Sequence, residues 1–180
     1  MKHDDIHVIK EILGGKSEQF EHILNRYGGQ VFNLIAHIVP CKEDAEELTQ
    51  DVFIKVFRLL SSFKEESSFS TWIYRIATNT ALSAARKRKH DTLHLDDAVY
   101  PNIPDDIIDE ALDNDSEEQL QRLSDAIEML SADERALITL YYMNEKPVAE
   151  VASILGLTVS NVKIKLLRTR KKLYLIMNDL

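Results

Sequence analysis

The sequence predicts an all-α protein built from two small helical domains joined by an acidic linker. Gly and Pro occur only five and four times in 180 residues, and Leu, Ile, Ala, Glu and Lys are plentiful, a balance that favours helix over strand. The content of 44% hydrophobic and 29% charged residues is that of an ordinary globular protein. Charge is distributed in blocks along the chain, and these blocks indicate where one domain ends and the next begins.

Three segments differ in charge. Residues 1–95 carry 13 basic and 13 acidic side chains. Residues 96–118 carry no basic and ten acidic side chains, and residues 119–180 carry nine basic and seven acidic ones, which gives the net charge of −8. The middle segment combines self-repelling carboxylates with Pro101 and Pro104, which predicts an extended tether. Because the excess acid is confined to this segment, the overall charge does not exclude nucleic acid as a ligand of the flanking domains.

Apolar residues at steps of three and four predict three helices in the amino-terminal domain, from about Ser17 to Val39, Glu43 to Leu60 and Phe69 to Lys89. On the second helix, acidic residues recur at the same spacing, and Gln50, Phe53 and Phe57 lie nearby. This acidic stripe is either a solvated helix face or a surface for a partner. Its members are Asp44, Glu47 and Asp51.

The third helix combines a buried side with a polar and basic side. Arg75, Asn79, Ser83 and Arg86 recur at helical spacing, and the helix ends in RKRKH, which is denser in positive charge than a helix terminus requires. Contact with phosphates becomes plausible. The aromatic residues at the start of this helix, among them Trp72, could stack unpaired bases, but the pattern favours a core position for Trp72.

The carboxy-terminal domain carries a helix-turn-helix pattern. Two capping-box spacings, Ser116 with Gln119 and Ser131 with Glu134, predict helix starts. Further along, three residues have the spacing of a helix-turn-helix, with offsets of four and then six. The first is small and allows close approach of the next helix, the second can take a positive φ in the turn, and the third packs inward. They are Ala152, Gly156 and Val162, with Thr158 as the expected N-cap of the second helix.

The second helix of this pattern is strongly basic. It carries six cationic side chains and no acid before Asp179, which is enough for several phosphate contacts as well as base readout. The expected ligand is DNA, with the helix in the major groove. The six cations are Lys163, Lys165, Arg168, Arg170, Lys171 and Lys172.

The order of these pieces resembles the extracytoplasmic-function sigma factors of bacterial RNA polymerase. The resemblance lies in DAEELTQDVFIKVFRLLSSF, FSTWIYRIATNTALSAARKRKH, the acidic tether and the terminal helix-turn-helix. It implies region 2 in residues 1–95, a linker in 96–118, and region 4 in 119–180, the last being a helix-turn-helix of winged-helix-like or sigma region 4 type. The implied function is that of an alternative sigma factor, which binds polymerase core and directs promoter-specific initiation without catalysing a reaction.

The resemblance also implies three sets of site residues. Docking to the clamp helices of the largest polymerase subunit is implied for Asp44, Glu47, Gln50, Asp51 and Phe53. Recognition and melting of the minus-ten element, with capture of an extruded base in the loop before Ser70, is implied for Ser67, Ser68, Arg75, Asn79, Ser83, Arg86 and Arg88. Reading of the minus-thirty-five element is implied for Ser160, Asn161, Lys163, Lys165, Arg168 and Arg170. Ile164 and Leu167 depart from the family, which often places polar or aromatic contact residues there.

The implied partners are the polymerase core, promoter DNA and an anti-sigma factor, with a membrane-anchored one as an option. No small-molecule substrate, cofactor or metal is expected, and the linker is expected to follow the RNA path of the polymerase. The single cysteine, Cys41, and an amino terminus without a long apolar run favour the cytoplasm.

Two alternatives stay open at this stage. The first is a helix-turn-helix regulator whose amino-terminal half senses a signal or dimerises. The second is a metal-dependent enzyme, suggested by two pairs of histidines at ligand-capable spacing near acidic residues, although no phosphate loop or nucleophile motif accompanies them. These pairs are His3 with His7, near Asp4, and His90 with His94, near Asp91 and Asp96.

Overall fold

The computed structural model describes residues 2–88, Pro104, Ile108 and residues 116–179, and for residues 2–4 and 88 it describes the backbone alone. Within these ranges the secondary structure is helical, with no strand and therefore no β wing beside the helix-turn-helix. The all-α prediction is confirmed. The helices are α1 (Lys2–Leu13), α2 (Phe20–Ile38), α3 (Lys42–Leu59), α4 (Phe69–Arg88), α5 (Glu117–Glu128), α6 (Ala132–Ile138), α7 (Val148–Leu155) and α8 (Val159–Asp179).

Helices α2, α3 and α4 pack against one another and form the amino-terminal core. Their predicted positions are confirmed to within a few residues, except that a short 3-10 turn, Ser17–Gln19, precedes α2. The apolar stripe of α2 is buried as its spacing predicts, because residues three and four apart lie on one side of a helix. Its buried members are Ile23, Tyr27, Val31, Leu34, Ile35 and Ile38.

Helix α1 was not predicted. It buries Ile9 and Ile12, and Asp5 accepts a hydrogen bond of 2.8 Å from the hydroxyl of Tyr27 on α2. Burial and this hydrogen bond raise the pKa of Tyr27 well above its usual range. The signal was present in the spacing of Ile6, Ile9 and Ile12 at steps of three, but charged residues lie between them.

Helix caps in the carboxy-terminal half lie where the sequence places them. Ser116 accepts a hydrogen bond from the Gln119 amide, and Ser131 forms a complete capping box with Glu134. After α6 the chain continues through one π-helical turn, Thr139–Met143, which the sequence did not reveal.

The helix-turn-helix, α7 and α8, has the local geometry that its three marker residues predict. Ala152 and Val162 are buried, and Gly156 takes a φ of +67° between the two helices. The hydroxyl of Thr158 accepts a hydrogen bond of 3.2 Å from the Asn161 amide, as an N-cap does. The predicted second helix is α8.

The two halves of the chain pack against each other, an arrangement on which the sequence made no prediction. Helix α4 lies along α7, α2 contacts α6, and the buried residues of both halves form one continuous cluster. Arg135 of α6 donates a hydrogen bond of 2.7 Å to the carbonyl of Ile38 at the end of α2. Burial lowers the pKa of this guanidinium.

The acidic segment departs from the predicted extended tether at one described point. The amide of Ile108 donates a hydrogen bond of 3.4 Å to the carbonyl of Pro104, which is helical spacing, and the Ile108 side chain is only 1% exposed. Burial of an isoleucine side chain is favourable, which an extended tether in solvent would not provide. No helix in the described ranges is long and apolar enough to cross a bilayer.

Candidate nucleic-acid and polymerase interfaces

The acidic stripe of α3 lies on the surface. Glu47, Gln50 and Asp51 are exposed, and Asp44 at the start of the helix is half-buried. Asp44 and Glu47 also border a groove whose opposite wall is formed by Leu130, Ala132 and Arg135 of the other half. The carboxylates therefore lie at the junction between the two halves and face outward.

Phe53 does not belong to this surface, which corrects the sequence-based assignment. Its side chain is only 5% exposed, and its ring packs edge-on against Phe20 at a centroid distance of 6.4 Å. The reason is helical geometry, since Phe53 follows the fully buried Val52 and lies beside Val56 on the inner side of α3. The exposed aromatic residue of this helix is Phe57, which is 44% exposed.

The loop before α4 contributes serines that cap the helix. The hydroxyl of Ser68 accepts a hydrogen bond of 3.1 Å from the Thr71 amide and lies 2.9 Å from the Ser70 hydroxyl. Ser67 and Ser68 are both half-buried. Ser68 thus has a structural role that the sequence analysis did not foresee.

The aromatic residues at this end of α4 pack on one another. The rings of Phe69 and Trp72 are stacked at 5.7 Å, and Phe63 contacts both, at 5.2 and 5.5 Å. Trp72 is half-buried and packs against the core, as predicted. Burial also raises the pKa of Tyr74, two residues further on, to about 12.

The polar side of α4 faces the other half of the chain. Arg75 donates a hydrogen bond of 2.9 Å to the hydroxyl of Ser153 on α7, and Asn79 lines a crevice formed with residues 152–157. Arg86 forms an exposed ion pair of 3.1 Å with Asp133. Ser83 is exposed, and the side chain of Arg88 lies outside the described part of the molecule.

Two further contacts join this side of α4 to the other half of the chain. The Thr71 hydroxyl donates a hydrogen bond of 3.3 Å to Glu150 of α7, and the Lys146 ammonium lies 4.7 Å from the ring centroid of Tyr74. The first helix of the helix-turn-helix therefore covers part of the α4 surface that sequence reasoning assigned to DNA.

Helix α8 presents its basic face to solvent. Its buried stripe is Val162, Leu166, Thr169, Leu173 and Met177. The residues assigned to the minus-thirty-five element lie outside that stripe, and all but the half-buried Arg170 are exposed, namely Ser160, Asn161, Lys163, Lys165 and Arg168. The structure thus brings these side chains together along one helix.

Lys172 belongs to a different environment from the other cations of α8. Its ammonium contacts both carboxylate oxygens of Glu134 on α6, at 2.9 and 2.8 Å. Burial by itself would raise the pKa of Glu134, but the hydrogen bonds from Lys172 and from the Ser131 amide hold that pKa below its usual range. Lys172 therefore joins two helices of the domain, and the sequence pattern alone could not separate it from the cations that face solvent.

The histidine pairs fall mostly outside the described residues. This is true of His90, His94, Asp91 and Asp96, and of the side chains of His3 and Asp4. His7 is exposed, 3.8 Å from Glu11. Among the described residues, no three His, Cys, Asp or Glu side chains come together in a way that could hold a metal ion.

Comparison with known proteins identifies both halves. Residues 23–90 match the family model of Sigma-70 region 2, and residues 120–173 match that of Sigma-70, region 4. The chain is 30% identical over 171 residues to the ECF RNA polymerase sigma-E factor of Escherichia coli strain K12, covering 91% of this chain and 89% of that protein. This chain belongs to the extracytoplasmic-function sigma factors. It is therefore an alternative sigma factor that directs transcription initiation.

Other relatives agree with this assignment. The ECF RNA polymerase sigma factor SigW of Bacillus subtilis strain 168 is 29% identical over 187 residues, with 96% of each chain covered. Among solved structures, the fold is similar to CnrH in its complex with the cytosolic domain of CnrY, with a TM-score of 0.67, 20% identity and 96% coverage of both chains. It is also similar to the sigma factor RpoE bound to the anti-sigma factor NepR from Bartonella quintana, with a TM-score of 0.65, 23% identity and coverage of 89% and 98%.

Proposed function

We propose that this sigma factor docks on the polymerase core through the exposed part of α3 and reads its promoter with two surfaces. Helix α8 would enter the major groove of the minus-thirty-five element, and α4 with the loop before it would bind the minus-ten element. We assign these roles to domains at residues 1–95 and 119–180, with residues 96–118 as the linker between them. The chain would act in the cytoplasm, where its polymerase and promoter are, and no catalytic step is assigned to it.

The observation that carries this proposal is the exposed face of α8. Inside the residues that match region 4, the helix offers Lys163, Lys165 and Arg168 to solvent with no carboxylate on the helix before Asp179. Cations at this spacing can neutralise phosphates on both sides of a groove, and polar side chains between them can reach base edges. Thr158 and Gly156 set the start of this helix, whose first three residues, 159–161, are all exposed.

On α3, the supporting observation is the set of outward-facing polar side chains. Glu47, Gln50 and Asp51 cover about one helical turn and are exposed. Phe57 lies further along the same helix and adds exposed apolar area, which interfaces use at their centre. With Phe53 buried, we assign the aromatic contribution to polymerase docking to Phe57 instead.

Promoter binding by α4 requires the two halves to separate. While α7 lies against α4, it covers part of this surface and Arg75 donates a hydrogen bond to Ser153, so the whole face cannot be presented to DNA. The interface joins the buried clusters of the two halves, and at its rim lie exposed polar contacts, such as Arg75 with Ser153 and Arg86 with Asp133, which are individually weak. Binding to polymerase would supply the free energy for this opening.

We also propose regulation by an anti-sigma protein. The relatives CnrH and RpoE are each seen bound to another protein, and RpoE's partner is described as an anti-sigma factor. In this chain, a groove between the end of α2 and α5, lined by Ala36, Val39, Leu123 and Ile127, offers apolar area to such a partner.

The test of polymerase docking is charge reversal on α3. The double substitution Glu47→Lys with Asp51→Lys is expected to abolish co-elution of the chain with bacterial polymerase core in size-exclusion chromatography. The matched control is Glu18→Lys with Glu21→Lys, two exposed acids in the 3-10 turn before α2 and in its first turn, which should leave co-elution intact. Circular dichroism should be unchanged for both, since all four side chains are exposed. Normal co-elution of the α3 variant would overturn the docking assignment.

A further inference from the structure

Two apolar side chains lie on the solvent-facing side of α8. Ile164 is 49% exposed and Leu167 is 38% exposed. At about 100° per residue, Ile164 lies about 200° around the helix from both Val162 and Leu166, which are buried. It is therefore at the centre of the side that faces away from the domain, where it contributes little to the fold.

The surroundings of Ile164 are polar and cationic. Ser160 and Arg168 lie one turn before and after it on the same face, and Asn161 and Leu167 lie beside it. Lys163 and Lys165 flank this face on its two sides, and both are exposed. A partner that covers the isoleucine must therefore accept positive charge on either side of it, which favours a polyanion over an apolar protein groove.

Double-stranded DNA offers both an apolar group that could cover Ile164 and negative charge on either side of it. Its phosphates lie along both edges of the major groove, and the apolar group on the base edges in that groove is the C5 methyl of thymine. An α-helix fits the groove when its central face meets the bases and its flanks meet the backbone.

We infer that Ile164, supported by Leu167, reads thymine methyl groups in the minus-thirty-five element, while Lys163 and Lys165 contact the phosphates on the two sides of the groove. This inference rests on the proposed entry of α8 into the major groove, and it specifies which base α8 would select there. It makes Ile164 a specificity residue of the recognition helix. The promoter should accordingly contain thymine, on either strand, opposite the middle of the helix.

The experiment uses the full chain bound to polymerase core and DNA duplexes selected from a library randomised over the minus-thirty-five element. In the selected duplex each thymine is replaced in turn by uracil, which removes the C5 methyl and keeps every hydrogen-bonding group. Binding of the unmodified protein should weaken about fourfold at one or two positions, the factor expected for exposing one methyl-sized group. The Ile164→Ala variant should lose most of this difference between thymine and uracil at the position where the unmodified protein shows the largest one.

Two variants keep this result interpretable. Met129→Ala removes another exposed apolar side chain, one that lies outside α8, and it should retain the preference for thymine. Lys163→Ala should weaken binding to thymine and uracil duplexes alike and reduce the salt slope by about one, because it removes a phosphate contact.

The outcomes separate the inference from the function on which it rests. If no uracil replacement affects the unmodified protein but Lys163→Ala still weakens binding, the thymine reading is wrong and the groove placement stands. If Lys163→Ala changes neither affinity nor salt slope, the placement of α8 in the groove fails. If Ile164→Ala instead impairs binding to polymerase core with the thymine preference unchanged, the face belongs to a protein contact and the inference is overturned.

Discussion

Glu134 holds together three parts of the carboxy-terminal domain. One carboxylate oxygen accepts a hydrogen bond of 2.8 Å from the Ser131 amide at the start of α6, and both accept hydrogen bonds from the Lys172 ammonium on α8. Such a partly buried ion pair with further hydrogen bonds contributes more to stability than an exposed pair. A single residue thus links the helix cap to the packing of the recognition helix.

This arrangement predicts a specific dependence of stability on pH. Because the pKa of Glu134 is lower in the folded state than its ordinary value of 4.5, the stabilisation is fully present above that value and is lost as pH falls through the folded pKa. We expect the free energy of unfolding in urea to fall more steeply between pH 5 and pH 3 for the unmodified chain than for Glu134→Gln. Equal slopes for the two proteins would show that the carboxylate is not stabilised by folding.

At the scale of the element, the turn between α7 and α8 is set by the backbone of Gly156. Its φ of +67° is strained for any residue with a Cβ, although a Cβ added there would meet no atom within 4 Å. The cost of a substitution is therefore conformational and not steric. Gly29, in the middle of α2, also has open space around it but has helical backbone geometry.

The same substitution should accordingly have opposite effects at these two glycines. Gly156→Ala is expected to lower the free energy of unfolding by about 1 kcal/mol, the cost of the left-handed conformation. Gly29→Ala is expected to raise it by about 0.5 to 1 kcal/mol, because alanine restricts the unfolded chain and favours helix. Chemical denaturation monitored by circular dichroism measures both, and a loss of stability at Gly29 or none at Gly156 would contradict this account.

For the whole molecule, the contact between α4 and α7 decides which surfaces are available. The hydrogen bond from Arg75 to Ser153 crosses this interface, and the crevice around Asn79 adjoins it. Interfaces between domains of one chain often permit domain motion, and the polar contacts at the rim of this interface bear on how readily it opens. The fraction of molecules in which the two halves are separated should therefore change when a charge is introduced at position 153.

Two substitutions at one residue test this response. Ser153→Arg places a second cation against Arg75 and should increase the radius of gyration in small-angle X-ray scattering at low salt, whereas Ser153→Glu should not. Ala149→Arg, on an exposed position of the same helix, is the control for added charge and should leave the radius unchanged. An identical radius for the Arg and Glu variants at position 153 would mean that this contact does not hold the halves together.

The sequence by itself determined most of the helices, the caps at Ser116, Ser131 and Thr158, the helix-turn-helix and the family, because each depends on local spacing. Periodicity separates the buried stripe of α8 from its exposed face, and the positive φ of Gly156 follows from the need for a turn at that position. Local spacing also placed Glu47, Gln50 and Asp51 on one surface.

Only the tertiary structure decided which of these side chains are available. Phe53 is buried by contact with Phe20, Arg75 is engaged by Ser153, and Lys172 pairs with Glu134, although in sequence each resembles its exposed neighbours. The physical reason is that burial and pairing depend on residues brought close by packing, here 33, 78 and 38 positions apart. A pattern read along one helix carries no information about what lies across from it.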